Sequence, residues 1–262
     1  MRQILRAIGL FAGALAMAQP GLAPPEIGYL RDSAGNVRPL HGISGTFWLG
    51  GAVASAAVSA ASSGRASMIL TRFGVQVLDA SGHSVGRRCP AAGPVLFAFN
   101  SAGAPALLWL SRSQELLRWD GLLFERVSID TGALRGTVVS LAAPAPGKAA
   151  FLVQSGEQLW RIDLSLMDGS VLEGENITGA AAPAILIDDG TIVYASPGKR
   201  ITIRNPQGVE RSVPFAGSPA AFTLLGPDWI LVASGSRRIH SALRLSTGAL
   251  FELPEPAETN LR

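Results

Sequence analysis

The chain has 262 residues, of which 48% are hydrophobic and 16% are charged, and its formal net charge is +3 at pH 7. This composition is sufficient to build a sizeable core and excludes an intrinsically disordered chain. The small net charge gives no basis for a nucleic-acid partner, which would need many uncompensated basic side chains. The single cysteine, Cys89, excludes an internal disulfide.

The first 18 residues have the pattern of an export signal. Two arginines precede an apolar run that ends at Ala18, and residues 16–18 offer the small-x-small motif that a signal peptidase recognises. An uncleaved membrane anchor is the alternative, but about 12 apolar residues are few for a bilayer, which takes ~20. We therefore predict a cleaved signal peptide over residues 1–18, a linker over 19–25 and no transmembrane segment afterwards. With the Arg-rich, Lys-poor composition, this indicates a bacterial protein that is periplasmic or secreted.

The rest of the chain is repetitive. A glycine turn between two alternating apolar runs recurs at intervals of 39 to 48 residues. The turn glycines are Gly35, Gly82, Gly121, Gly169, Gly208 and Gly248. Another hairpin precedes most of these turns, so each period contains four strand-sized runs, as in VLFAFNS, PALLWLS, QELLRWD and LFERVSI. Five complete periods lie between about residue 52 and residue 254.

Hydrophobicity changes in the same way within each period. The first two runs are almost wholly apolar or small, whereas the last two alternate apolar residues with Arg, Glu or Gln. A strand that is buried on both faces does not alternate, whereas a strand with one wet face does. The pattern predicts an all-β protein of four-stranded antiparallel blades, with the first two strands of each blade buried and the last two half exposed. Such a protein is a β-propeller.

The blade count depends on the amino-terminal part of this domain. Residues 27–43 contain one hairpin, which we interpret as the outer hairpin of an incomplete blade. We predict six blades with one reduced, and the alternative is five blades with an N-terminal hairpin as a cap over the ring joint. The β-propeller domain is expected over residues 26–254, followed by a C-terminal tail over 255–262.

The hairpins LRLSTGALFEL and QVLDASGHSVG resemble the blade ends of bacterial exported propellers, which include the PQQ-like and YVTN-like repeat families. The resemblance covers the repeat unit throughout and implies the propeller fold, but it points to no specific family. A complete PQQ-type repeat ends in a tryptophan, and the corresponding positions of this chain are Val85 and Leu253.

The sequence predicts no catalytic residue, no metal ligand and no cofactor. Innermost strands of a propeller face the channel, and among the first runs only the fourth ends in carboxylates, at Asp188 and Asp189. A glycosidase needs two carboxylates suitably spaced about the scissile bond, so an enzyme is disfavoured. The two aspartates precede a glycine, which fits a turn or a calcium site. The histidines His41, His83 and His240 lack zinc-ligand spacing.

Arginine and tryptophan supply the candidate binding residues. Arg118, Arg161 and Arg204 recur on third strands, either as a structural ladder or solvated charges, or as a surface for an acidic polysaccharide or a partner protein. Trp48, in the Gly-rich stretch GTFWLGG, is expected in a loop and is the candidate partner-binding residue, with packing over the ring joint as the alternative. Cys89 follows two arginines that could favour the thiolate, but its position between blades favours an inert side chain.

These features predict an exported, non-catalytic β-propeller that acts as a protein-binding or scaffold module, with a protein partner. A propeller-type carbohydrate-active or cofactor-linked enzyme is one alternative, and it would need acidic or amide side chains along the channel. A structural subunit of an envelope assembly is the other, because an incomplete blade leaves a strand edge open to β-augmentation.

Overall fold

A computed structural model describes residues 25–43, 45–235 and 240–253. The predicted signal peptide, the predicted C-terminal tail and all of the predicted linker except Pro25 lie outside the described residues. The described chain is almost entirely β-structure, with one short 3-10 helix at Thr131–Ala133. In this part of the chain no helix is long and apolar enough to cross a membrane.

The strands form six antiparallel sheets, which we number as blades 1 to 6 in chain order. Blade 1 contains β1 (Glu26–Arg31), β2 (Val37–Ile43) and β3 (Thr46–Leu49). Blade 2 contains β4 (Ala57–Ser62), β5 (Ala66–Thr71), β6 (Gly74–Asp79) and β7 (Ser84–Cys89), and blade 3 contains β8 (Val95–Phe99), β9 (Pro105–Leu110), β10 (Glu115–Trp119) and β11 (Phe124–Val127). Blade 4 contains β12 (Thr137–Ala142), β13 (Lys148–Ser155), β14 (Gln158–Ser165) and β15 (Val171–Ile177). Blade 5 contains β16 (Ala181–Leu186), β17 (Ile192–Ser196), β18 (Arg200–Arg204) and β19 (Glu210–Pro214), and blade 6 contains β20 (Pro219–Gly226), β21 (Trp229–Ser234), β22 (His240–Arg244) and β23 (Leu250–Glu252).

The six blades surround one axis. Their innermost strands contact one another in the order β8, β12, β16, β20 and β4, and β1 contacts both β20 and β4. Sheets that fan around an axis in this way form a β-propeller. The predicted architecture of five full blades and one reduced blade is therefore confirmed for the described residues. All six turn glycines of the repeat have positive φ, between 72° and 106°.

Blade 1 differs in one respect from the expectation. The hairpin over residues 27–43 is not an outer hairpin, because β1 lies against the channel-lining strands and β3 adds a third strand outside it. Gly28 lies beside Leu225 and Ser62, at the carboxyl ends of β20 and β4. The Arg31 Nε donates a hydrogen bond to the carbonyl of Ala57, at the amino end of β4. β1 thus runs opposite to β4 and takes the place of a second strand, so blade 1 has no innermost strand among the described residues.

Two apolar clusters hold blade 1 between its neighbours. On one side Tyr29 and Val37 pack with side chains of blade 2, and on the other Ile27, Leu30 and Leu40 pack with side chains of blade 6. Phe47 on β3 also contacts two aromatic rings of blade 6, at centroid distances of 6.0 and 5.6 Å. These contacts close the ring by side-chain packing.

The turn between β1 and β2 is fixed by a buried carboxylate. Asp32 accepts hydrogen bonds from the backbone N–H of Asn36 at 2.8 Å and from Nε of Arg38 at 3.0 Å. Burial by itself would raise the pKa of Asp32, but these partners hold it below the ordinary value of 3.8. The carboxylate therefore stabilises this hairpin in its ionised form.

The burial gradient across each blade is only partly as expected. Second strands are the most buried in blades 2 and 4, and all six residues of β5 are buried. Fourth strands meet solvent, as the first five residues of β15 do. The first strands were expected to be fully buried, but β16 and β20 are partly exposed, most of all near their amino ends. A second strand has a neighbouring blade on each face, so it is covered on both.

Candidate functional site

The central channel contains a cavity of about 310 Å³. It is lined by the five strands β4, β8, β12, β16 and β20 and by the turns that follow some of them, and no described residue of blade 1 contributes. Its walls are mainly apolar, with Leu96, Phe97, Ile185, Phe222 and Leu224 among the lining residues. The turns at one mouth add polar side chains, which are Ser63, Asn100, Ser101, Asp188 and Asp189.

The polar groups of the channel mostly hold turns and blades together. The Ser63 hydroxyl donates to the carbonyl of Gly103 and so joins blade 2 to blade 3. The Ser140 Oγ accepts from the backbone N–H of Leu186 at 2.9 Å and joins blade 4 to blade 5. The Asn100 side chain accepts from backbone N–H groups of its own turn. These side chains therefore stabilise the fold through hydrogen bonds to backbone atoms.

Asp188 and Asp189 are adjacent in a single turn. Asp189 Oδ1 accepts from the backbone N–H of Thr191 at 2.8 Å, which is ordinary turn chemistry. Burial raises the pKa of Asp188, and the neighbouring Asp189 carboxylate raises it further. Among the described residues no three or more His, Cys, Asp or Glu side chains cluster in a way that could hold a metal ion. The three histidines lie apart, His41 in blade 1, His83 beside blade 2 and His240 in blade 6.

Trp48 lies on strand β3 rather than in the loop that was expected. It is opposite His41 in the register of β2 and β3, and the two rings stack with centroids 5.8 Å apart. The Trp48 side chain is nevertheless 40% exposed, and Ile43 at the end of β2 is 70% exposed. The sequence pattern missed this strand because four residues between glycines are too few to show alternation.

The three predicted arginines have different environments. Arg161 makes two hydrogen bonds of 2.9 Å to Asp163 on its own strand. Arg204 pairs with Glu175 across blades 4 and 5 at 2.6 Å. Arg118 is exposed. Two of the three are thus engaged in structural ion pairs, which favours the structural interpretation of this set.

Sequence reasoning missed a surface on blades 2 and 3, at the end of the ring opposite the polar mouth of the channel. Arg72 and Phe73 form the turn between β5 and β6, and Phe73 is 60% exposed. The guanidinium carbons of Arg72 and Arg88 lie 4.5 and 5.9 Å from the centre of the Phe73 ring. An aromatic residue in a two-residue turn between strands was the available signal. Cys89 lies beneath this surface, and burial raises the pKa of its thiol, with a further contribution from Glu115.

Comparisons with known proteins agree on the fold. No protein-family model matches the chain, and no curated protein matches its sequence. A chain of the nidogen/laminin complex is similar in structure, with 14% identity and a TM-score of 0.56 over 87% of this chain and 91% of that one. TolB from Acinetobacter baumannii is also similar, with 14% identity and a TM-score of 0.54 over 85% of this chain and 61% of that one.

A protein of unknown function from Bacteroides caccae matches with 16% identity and a TM-score of 0.41, over 67% of this chain and 66% of that one. The chain thus spans less than two thirds of the length of the Bacteroides protein and of TolB. At such identities structural likeness concerns the fold alone. The chain is a six-bladed β-propeller, and its resemblance to exported propeller repeats holds at that level.

Proposed function

We propose that the protein is an exported, non-catalytic β-propeller that binds a partner protein through an apolar surface on blade 1. The observation that carries this proposal is where the large apolar side chains are exposed. Four of the eleven exposed ones in the described residues fall within a stretch of 16 positions that runs from the end of β2 through β3 to the second residue of β4, in blade 2. They are Ile43, Trp48, Val53 and Val58. Ile43 and Trp48 lie on the same face of the β2–β3 pair, because Trp48 is opposite His41 and Ile43 is two residues beyond His41 on β2. Exposed apolar side chains gathered on one face are typical of interaction surfaces.

Trp48 is suited to anchor such a contact. Its backbone is fixed by the pairing of β3 with β2, and its ring is held by the stack on His41. A rigid, half-exposed tryptophan loses little conformational entropy on binding, and tryptophan is enriched among the residues that contribute most to interfaces. Trp48 therefore remains the proposed partner-binding residue.

The channel gives less support to an enzyme. Its two lining carboxylates are neighbours in one turn, whereas a glycosidase positions an acid and a nucleophile or base about a bond. Asp189 is already engaged by the backbone of its own turn. The side chains of Ser63, Asn100 and Ser140 bind backbone atoms, so these groups serve the fold.

A structural subunit of an envelope assembly is the second candidate. Blade 1 has three strands, and its outer strand β3 has no further strand beside it among the described residues. An open edge of this kind can pair with a strand of another chain. The nidogen/laminin complex, one chain of which shares the fold, is an assembly of two proteins.

Affinity capture from an envelope extract of the source bacterium tests the proposal. The tagged mature protein should retain a defined partner that untagged protein displaces, and Trp48→Ala should lose it. Met167→Ala is the matched control, since Met167 is 93% exposed and lies in blade 4, away from blade 1. Circular dichroism of each variant should remain that of the wild type. A wild-type protein that retains no displaceable partner would contradict the binding role.

Sequencing of the mature amino terminus tests the export part of the proposal. Protein recovered from the periplasm or the medium should begin at residue 19, because the small-x-small motif ends at Ala18. Full-length protein found in the cytoplasm alone would contradict export.

A further inference from the structure

A second surface of the ring combines an exposed aromatic ring with several arginines. We call it the arginine cleft and define it by Arg72, Phe73, Arg88 and Arg112 together with the connector at residues 90–92. Arg72 and Phe73 lie in the turn between the second and third strands of blade 2, and Arg112 lies in the corresponding turn of blade 3. Equivalent turns of neighbouring blades lie at the same end of a propeller, so the two turns face solvent side by side. Arg88 is the penultimate residue of β7, and its guanidinium reaches both the Gln76 side chain and the Phe73 ring.

The cleft has an excess of positive charge. Arg72, Arg88 and Arg112 are all exposed, and none forms an ion pair with a carboxylate among the described residues. One carboxylate, Glu115, lines the cleft, but it already accepts a hydrogen bond from the Ser113 hydroxyl at 2.9 Å and pairs with Arg126 at 3.2 Å. Elsewhere in the ring, Arg38, Arg161, Arg204 and Arg244 have carboxylate partners. Three guanidinium groups without a carboxylate partner among the described residues are therefore available to an external anion.

The floor of the cleft is apolar. Pro90, Ala91, Ala92 and Leu110 line it beside the Phe73 ring, and the cleft has a volume of about 680 Å³. A ring that is 60% exposed at the tip of a turn contributes little to the core, so the core does not account for a phenylalanine at this position. The Arg72 guanidinium lies 4.5 Å from that ring, and this contact holds a cation at the edge of the apolar floor.

We propose that the arginine cleft binds an extended acidic segment of a partner protein. Carboxylates of the segment pair with Arg72, Arg88 and Arg112, and an apolar side chain between them packs on Phe73 and the connector. The apolar floor favours a peptide over an anionic polysaccharide, which has no comparable side chain to place there. The same floor and the small number of arginines favour a peptide over a membrane surface, which is contacted through broad basic patches. The inference rests on the proposed binding role and adds a second surface to it, independent of Trp48.

Fluorescence anisotropy with defined peptides tests this surface directly. The probe is a fluorescein-labelled decapeptide of Glu and Asp with two leucines, and its control is the same peptide with Gln and Asn at the acidic positions. The acidic probe should bind the purified mature protein with an affinity that falls as salt is added, and the neutral control should not bind. Replacing Arg72, Arg88 and Arg112 together by serine should raise the Kd about tenfold or more. Phe73→Ala should raise it about threefold.

Arg65→Ser is the matched control. Arg65 is exposed and lies in the turn between β4 and β5, at the opposite end of blade 2, so its loss should leave the Kd within about twofold of the wild type. All the replaced side chains are exposed, so the variants should fold, and unchanged melting temperatures would verify this.

Three results would overturn the inference: equal binding by the triple variant, equal binding of the neutral peptide, or arginine-dependent binding of heparin or of phosphatidylglycerol vesicles without binding of the peptide. Failure here is distinct from failure of the proposed function. If affinity capture yields a Trp48-dependent partner and the acidic peptide does not bind, the binding role stands and the arginine cleft is excluded.

Discussion

The packing at Gly28, where blade 1 meets blade 6, allows the loss of stability of a Gly28→Ala variant to be predicted. This residue is buried on β1, where the backbone of blade 1 meets the backbone of blade 6. A Cβ atom added to Gly28 would lie 1.5 Å from the carbonyl oxygen of Leu225 and 2.6 Å from its carbonyl carbon. Because both are backbone atoms, no side-chain rotation relieves the overlap. Gly28→Ala must therefore displace β1 or β20.

The size of the effect follows from that overlap. Ordinary contact with a Cβ begins at 3.4 Å, so the two strands must separate by about 2 Å. Overpacking of a core typically costs ~1–3 kcal/mol. The required backbone shift also loosens the packing of Ile27 and Leu30 against blade 6, so we expect Gly28→Ala to lower the free energy of unfolding by about 3 kcal/mol. For a chain of this length, that free energy corresponds to a decrease in Tm of about 6–12 °C.

Differential scanning calorimetry at one scan rate measures this decrease. Gly174→Ala is the control, because Gly174 lies exposed on β15 with no atom within 4 Å of an added Cβ. Its substitution should leave Tm unchanged or raise it by ~1–2 °C, since a strand glycine is replaced without overlap. Gly226→Ala, whose Cβ would lie 2.3 Å from the carbonyl oxygen of Ile27, should also lower Tm. If Gly28→Ala melts within about 2 °C of Gly174→Ala, the close approach of the β1 and β20 backbones is refuted.

Three further predictions concern buried polar groups and the thiol. Ser140→Ala should lower the free energy of unfolding by ~1–3 kcal/mol in urea titrations, because the buried N–H of Leu186 loses its acceptor, whereas the exposed Ser113→Ala should have little effect. The pKa of Asp32 is lowered on folding, so its stabilisation is present above the ordinary value of 3.8 and is lost as pH falls through the folded-state pKa. Urea titrations should show a deficit for Asp32→Asn at neutral pH that disappears in acid, and a constant deficit would contradict the role of the ionised form. The native Cys89 thiol, buried and with a raised pKa, should not react with Ellman's reagent at neutral pH until the protein is unfolded, and rapid labelling of folded protein would refute this.

The sequence by itself determined the blades. Alternation of apolar residues and the glycine turns are local signals, because successive side chains of a strand point to opposite faces of the sheet and a positive φ is accommodated most easily by glycine. Each full blade is one continuous stretch of chain, so its four strands and their order could be read directly, as they were for blade 3. The turn between β6 and β7, with Gly82 at a φ of 78°, shows the same correspondence.

Tertiary structure alone decided where the strands of blade 1 lie relative to the axis and which surfaces result. The hairpin over residues 27–43 looks the same in sequence whether it lies inside or outside a blade, and only contacts with Ser62 and Leu225, far away in the chain, place β1 against the channel-lining strands. The arginine cleft has the same origin, since Phe73 and Arg112 belong to turns of different blades. The radial position of β1 and the side-by-side turns depend on packing between segments tens of residues apart, and a local pattern of polarity and turns carries no information about such packing.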